Sequence, residues 1–373
     1  MSEFASAKRA FLGRAFSAIA ENRDVRNAFA EYVAGLELER AGAMRVMVHL
    51  GETGVAWWRA FIPFCELARS RNFDIRMSTT ISPDDLRWAD VLWLQRPGRT
   101  VVVDVLTKWM PIFGRARVVV DNDDWLRNVP SYNPFAGRIA TEGISEAFDR
   151  ALELADRVTF STAELARLYN RPDAAILPNA VDADVWHLNG HSIRPSFPIC
   201  IGWAGSPTHS ADLALVEPAI AEVMKRRSDV AFVRVGAFGV HTAGELRSLP
   251  RDRVFELGFE PHAHELAKYL RGLDVGICPL VANAFNRAKS NCKWLECAAL
   301  GVPTVASRVG PYDDTVGSLV VDNDVDAWIG ALEYLITTEH RKTFGQAAAA
   351  EVAEQGTIQR TIAKWVAVLT ETV

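Results

Sequence analysis

The sequence predicts an α/β protein built as two parallel-sheet domains in series. Three observations carry that reading. From Met44 onward, short β-rich runs alternate with helical stretches, the pattern of parallel strands joined by right-handed crossovers. The alternation breaks at 183–198 (ADVWHLNGHSIRPSFP), a turn-rich segment with two prolines that reads as an interdomain linker, and then resumes. Continuous apolar runs such as Val118-Val119-Val120 suit strands covered on both faces.

Residues 1–40 form an N-terminal helical extension. Phe4, Phe11, Leu12, Ala15 and Ile19 recur at helical spacing, and Phe29, Val33 and Leu36 continue the pattern. Such a stripe either packs on the body of the protein or lies on a membrane, with Lys8, Arg9 and Arg14 toward lipid phosphates. In the N-terminal domain (41–185) strands are expected at Arg45–Leu50, Phe73–Met77, Val91–Gln95, Arg117–Asp121, Arg157–Ser161 and Ala175–Leu177. In the C-terminal domain (199–338) they are expected at Cys200–Trp203, Ala231–Val235, Val254–Glu256, Val275–Cys278, Thr304–Ala306 and Leu319–Val321. The Ala-rich tail (339–373) reads as helices packing back across the domains. Two such sheets facing across a cleft place ligands outside the carboxyl ends of the strands.

Composition narrows the function. With 49% hydrophobic residues among 373, the chain is globular rather than disordered. A net charge of -5, from 41 Lys+Arg against 46 Asp+Glu, offers no global attraction to nucleic acid or anionic lipid. No apolar run approaches the roughly 20 residues that span a bilayer. Five scattered cysteines (Cys65, Cys200, Cys278, Cys292, Cys297) form no C-x-x-C pair and read as free thiols in a reducing compartment. A cytoplasmic location follows, peripheral at a membrane if the N-terminal helix touches lipid. No G-x-G-x-x-G follows the first strand, and Walker A, G-x-S-x-G and helical zinc-protease motifs are missing. His262 and His264 lack metal-ligand spacing.

The informative stretch is Pro279–Pro311, PLVANAFNRAKSNCKWLECAALGVPTVASRVGP. A helix is expected to begin near Ala288 or Ser290 and to stop at Gly301. Lys289, Lys293 and Glu296 then fall at i, i+4 and i+7 on one face. Lys289 and Ser290 at the helix N-terminus suit an anion, and Glu296 can accept two hydroxyl hydrogen bonds from a ribose. The same spacing also fits an amphipathic helix with a Lys–Glu surface pair.

With the residues around it, this stretch resembles the donor-binding motif of GT-B glycosyltransferases similar to glycosyltransferase family 4. Glu296 stands in the place of the second acid of a Glu-x7-Glu motif and precedes Ala299-Leu300-Gly301-Val302-Pro303-Thr304-Val305-Ala306-Ser307. The first acid would fall at Ala288. The match is instead to a subgroup carrying Asn286, Lys289, Ser290, Lys293 and Glu296 in an N-x-A-K-S-x-x-K-x-x-E pattern. Further islands occur in the family's order: Gly54 with Trp57, Trp58 and Arg59; Asp121, Asp123 and Asp124; Ser161-Thr162 with Leu177–Asp182; and Ile201–Thr208.

The resemblance implies a retaining, metal-independent glycosyltransferase of hexosyltransferase type, acting on a nucleotide-diphosphate sugar, with no cofactor. Donor binding is implied at Gly54, Gly205, Ser206, Asn286, Lys289, Ser290, Lys293 and Glu296, with Glu296 on the ribose. Acceptor binding is implied at Trp57, Arg59 and Asp121, and catalysis at Asp123, Asp124 and Lys289. The acceptor stays open among a glycan or lipid-linked glycan, a protein and a modified nucleobase. The aspartate cluster reads alternatively as a metal site or as turn and capping structure. Arg59 reads alternatively as a surface residue, Ser206 and Thr208 as an N-cap, and His209 as a phosphate contact. Trp57 and Trp58 suit stacking on a sugar or base, whereas Trp203 and Trp294 read as core. A nucleotide-sugar-binding scaffold and a sugar-nucleotide epimerase are the other functions considered.

Overall fold

Valine-, isoleucine- and leucine-rich runs condense into two six-stranded parallel sheets, each the centre of its own unit. The structure is a computed structural model that describes residues 3–21, 23–51, 56–236, 246–258 and 263–371. The N-terminal unit comprises Met1–Val129, Gly137–Ala180 and Ile358–Val373; the C-terminal unit comprises Pro130–Ala136 and Val181–Thr357.

In the N-terminal unit the strands are β1 (Met44–Leu50), β2 (Phe73–Ser78), β3 (Val91–Gln95), β4 (Arg117–Asn122), β5 (Arg157–Phe160) and β6 (Ala175–Ile176), in the order β2-β1-β3-β4-β5-β6. Every pairing is parallel, with Val46 opposite Val91 and Leu94 opposite Val120. The order reverses direction between β1 and β3, the switch point where doubly wound sheets open a crevice.

The N-terminal stripe packs inward. Helices α1 (Glu3–Ala20) and α2 (Arg26–Ala34) precede the sheet, and the fully buried Phe11 meets Phe29, Tyr32 and Phe61 at ring-centroid distances of 5.3, 5.3 and 5.6 Å. Lys8 is buried too, 3.9 Å from Glu66. The apolar face and Lys8 are therefore turned to protein, the first of the two readings of this stripe. Among the described residues no helix is long and apolar enough to cross a membrane. The helix Ile358–Thr370 packs in the same unit, where Trp365 lies 5.2 Å from Trp93 and 6.0 Å from Phe64.

In the C-terminal unit β7 (Ile199–Ala204), β8 (Val230–Val235), β9 (Val254–Leu257), β10 (Val275–Cys278), β11 (Thr304–Ser307) and β12 (Ser318–Val321) take the order β12-β11-β10-β7-β8-β9. This is the dinucleotide-fold order, with its switch point between β7 and β10. Helices α3 (Ser210–Arg226), α4 (Ala284–Arg287), α5 (Cys292–Ala299) and α6 (Val325–Ile336) follow the strands. Ile201, Trp203, Val216, Ile220, Phe232, Ile277, Trp328 and Leu332 form part of one buried cluster.

Two segments depart from the sequence reading. The turn-rich stretch 183–198 is pinned to the C-terminal unit rather than hanging between units: Arg271 donates to the His187 and His191 carbonyls, and Arg194 to Asp274. The helix expected to run from Ala288 or Ser290 is broken instead. Asn283 caps α4 early, its Oδ1 accepting from the Asn286 N–H at 2.8 Å, and residues 288–291 form a turn before Asn291 opens α5. Lys289 and Ser290 therefore lie in the link between two helices.

The inward packing of α1 sets a stability expectation. Phe11→Ala should lower unfolding free energy by about 3–5 kcal/mol, the range for a buried aromatic truncated to alanine, as read from denaturant unfolding. A change within ~0.5 kcal/mol, normal for an exposed site, would contradict the packing.

Candidate active site

The switch point of the C-terminal sheet gathers the residues of the central motif. At the end of β7 the chain leaves through Gly205 and Ser206 into a short turn, Pro207–His209, that opens α3. The Lys293 ammonium on α5 donates to the Ala204 carbonyl at 2.8 Å and lies 5.0 Å from the centroid of the Trp203 ring. Gly205 makes this possible. A Cβ there would come within 2.4 Å of the Trp203 ring and 2.9 Å of Lys293 Nζ. Burial lowers the Lys293 pKa, and the Glu296 carboxylate opposes that effect.

Glu296 lies one turn further along α5. Protein crowding raises its carboxyl to about 7, with Lys293 acting in the opposite direction. Lys289, in the inter-helix link, holds its ammonium 4.6 Å from the centroid of Phe285. Ser290 Oγ lies 3.1 Å from Cys292 Sγ, and Ser206 Oγ lies 2.7 Å from Thr208 Oγ1.

A buried aspartate outside the motif ties these pieces together. Asp212, on the first turn of α3, is 1% exposed. Its Oδ1 accepts from the Val281 N–H at 2.7 Å and from Asn286 Nδ2 at 3.1 Å, and its Oδ2 lies 2.8 Å from His209 Nδ1. One carboxylate thus joins the β7 loop to the β10 loop. Burial pushes His209 down to about 4, Lys293 and Lys289 push the same way, and Asp212 opposes them. The imidazole is neutral at pH 7, its Nδ1–H donating to Asp212. Asn286 is itself only 1% exposed, and its amide also donates to the Val281 carbonyl. It therefore orders the loop rather than presenting its amide to a ligand.

The N-terminal unit uses its charged candidates differently. Arg59 and Asp121 are both fully buried, joined at 3.0 and 2.5 Å in a two-pronged pair. Arg59 also donates to the Leu177 carbonyl and to Asn179 Oδ1, and its guanidinium lies 5.1 Å from the centroid of Trp365. Thr159 donates to Asp121 at 2.6 Å. The placement of Arg59 and Asp121 at an acceptor surface is corrected accordingly: they are an internal ion pair, and Arg59 is not a surface residue. Trp57 is 8% exposed and sits in the π-helical turn Trp57–Phe61, which argues for packing over open stacking. Trp58 is half-buried, and Trp203 and Trp294 are core residues. Gly54 lies outside the described residues.

Asp123 and Asp124 follow β4 at its carboxyl end. Both accept from Arg96 Nη2, at 2.5 and 2.8 Å, and Arg96 also donates to Asn122. Burial raises the Asp123 carboxyl, with Arg96 countering. Arg96 ends β3 at φ 44°, an unusual conformation for a residue with a side chain. Among the described residues no group of histidine, cysteine, aspartate or glutamate side chains is arranged to hold a metal ion.

Sequence reasoning missed Asp212, Arg96, Asn283 and Tyr132. Only Asp212 left a trace, three residues after His209 at a helix start. The others are joined to their partners by chain folding rather than by spacing.

Residues 199–338 match the family model described as Glycosyl transferases group 1. No curated protein matches the sequence. Solved structures similar to the chain include sucrose-phosphate synthase from Thermosynechococcus elongatus, at TM-score 0.61 and 13% identity, covering 87% of this chain and 98% of that one. The HepE protein of Anabaena, solved with UDP and glucose, is similar at TM-score 0.61 and 13% identity over 88% of this chain and 100% of that one. A trehalose-phosphate synthase from Burkholderia xenovorans, solved with glucose-6-phosphate, aligns at TM-score 0.55 and 15% identity over 75% of this chain and 72% of that one. These likenesses show the fold: two Rossmann-like domains of the GT-B class.

Two measurements test the electrostatics. Asp121→Ala strands the Arg59 guanidinium in the core and should cost about 3–5 kcal/mol in denaturant unfolding. Glu296 binds its proton more tightly folded than unfolded, so its contribution is most favourable below pH ~4.5 and is lost as pH rises through about 7. Glu296→Gln should therefore gain melting temperature relative to wild type between pH 5 and pH 8. A difference that does not grow with pH counts against the raised carboxyl.

Proposed function

We propose that the chain, whose residues 199–338 match the Glycosyl transferases group 1 model on a GT-B fold, is a glycosyltransferase that moves a hexose from a nucleotide-diphosphate sugar to an acceptor nucleophile with retention of configuration. One observation carries the assignment of the donor site. At the β7/β10 switch point, a glycine whose Cβ would crowd the Trp203 ring lies against a half-buried lysine, and a carboxylate of the same helix follows one turn later.

The donor's diphosphate is assigned to the Gly205–Ser206 loop and the Lys289–Ser290 link, where Lys289 and the first N–H groups of α5 face negative charge. Lys293 is engaged with the Ala204 carbonyl, so it shapes the loop and adds its charge from beneath. Glu296, once ionised, accepts two hydroxyls of the ribose. Charge fixed in advance around the leaving diphosphate stabilises it as the glycosidic bond breaks, with no metal ion needed. On the acceptor side, Asp123 and Asp124 are the carboxylates at a strand end of the N-terminal sheet, and Arg96 holds both in place. Burial raises the Asp123 carboxyl, which suits it to take a proton from the acceptor. The acceptor is a glycan, a lipid-linked glycan, a protein or a modified nucleobase.

One observation favours a second reading. Ala288 stands where the related motif has its first acid, which removes one sugar contact and fits a donor-binding scaffold. Transfer assays with a panel of nucleotide sugars decide between the two. Glu296→Ala and Lys289→Ala should each lower kcat/KM at least ten-fold, the loss of one charge-assisted contact. Unchanged rates in both variants would overturn the site. Tight donor binding without transfer would favour the scaffold, and isomerised donor formed without acceptor an epimerase.

A further inference from the structure

Tyr132 reaches the donor site from a segment that the family motif does not include. It belongs to Pro130–Ala136, which groups with the C-terminal unit although its sequence neighbours on both sides belong to the other. Its hydroxyl accepts from Asn283 Nδ2 at 2.8 Å and lies 3.3 Å from Asn286 Nδ2, whose shorter bonds go to Asp212 and the Val281 carbonyl. Asn283 and Asn286 belong to the β10 loop that Asp212 anchors, and Lys289, three residues beyond Asn286, lies close enough to act on the phenol. A phenol oxygen that accepts an amide hydrogen keeps its own proton to give. Among the described residues no acceptor takes it. The ring is 40% exposed, so the hydroxyl is anchored on one side while the side chain stays open to solvent.

We infer that Tyr132 is a donor-positioning residue whose O–H donates a hydrogen bond to a diphosphate oxygen of the nucleotide sugar. The inference rests on the donor-site assignment above and adds a contact to it. The Asn283 carboxamide aims the phenol, and the Lys289 ammonium marks the adjacent space as one suited to an anion. Burial and the nearby Asp212 carboxylate keep the phenol protonated, while the two carboxamides and Lys289 oppose them. A neutral donor supplies direction without adding charge, so it discriminates between ligands by where their oxygens sit.

Calorimetry with the full chain and the probes UDP, GDP, ADP and UMP tests this. Tyr132→Phe keeps the ring and removes only the hydroxyl. It should weaken binding of the preferred nucleoside diphosphate about ten-fold or more, as expected for a lost hydrogen bond to a charged group. Affinity for UMP and the melting temperature should stay unchanged, which a purely structural role for the hydroxyl would not produce. Equal diphosphate affinity in wild type and Tyr132→Phe overturns the inference and leaves the donor site standing. A loss seen with UDP-glucose but not with UDP also overturns it, because the contact would then be to the sugar. Failure of the wild type to bind any of the three diphosphates overturns the donor site and the inference together.

Discussion

A lysine ammonium held beneath the end of a strand is the interaction on which the C-terminal site depends. The Lys293–Ala204 hydrogen bond joins α5 to the β7 loop, and the Trp203 ring backs the cation. A Cβ at position 205 would press on the Trp203 ring and on Lys293 Nζ, so glycine leaves both contacts undisturbed. A charged group crowded by protein is costly unless it is paired or hydrogen-bonded, so this geometry tolerates little drift. Glu296 and His209 both feel this cation: it opposes the burial that raises the carboxyl and adds to the burial that lowers the imidazole.

Asp212 supplies the complementary constraint. By accepting from the β10 loop and facing His209 of the β7 loop, it fixes the two edges of the switch point against each other. A crevice between diverging strands is a consequence of sheet order. Its usefulness depends on the loops beside it being held in one arrangement, and a single buried carboxylate does that here.

The two units spend their charges in opposite ways. In the N-terminal unit the Arg59–Asp121 pair lies wholly inside, satisfied by Thr159, Leu177 and Asn179. It specifies how β4 meets the helix that follows the first loop, and it offers nothing to solvent. Arg96, with Asp123 and Asp124, stays near the strand ends, where a carboxyl raised by burial keeps some capacity to take a proton. Arginine–aspartate groups of similar appearance in sequence thus differ in where the fold places them, one sealed inside and one at the strand ends.

The strands were legible because their signal is local. Runs of β-branched and apolar residues bounded by turn formers placed all twelve within one residue at either end, and their alternation with helices gave the parallel, doubly wound class. The chemistry of the Lys289–Glu296 stretch was legible for a similar reason, since nearby residues on one element share a neighbourhood. Local pattern did not reveal the separate short helix α4, which Asn283 caps, ahead of α5, nor the depth of Arg59. The links from Tyr132 to Asn283, from Arg96 to the aspartates and from Asp212 to Val281 were likewise closed to it. Those depend on which strand ends lie side by side, a property of sheet order that only long-range packing sets. The sequence by itself determined the elements, their class and the charged motif. The tertiary structure decided which charges are buried, which are shared and which remain for a ligand, because burial and pairing arise between segments far apart in the chain.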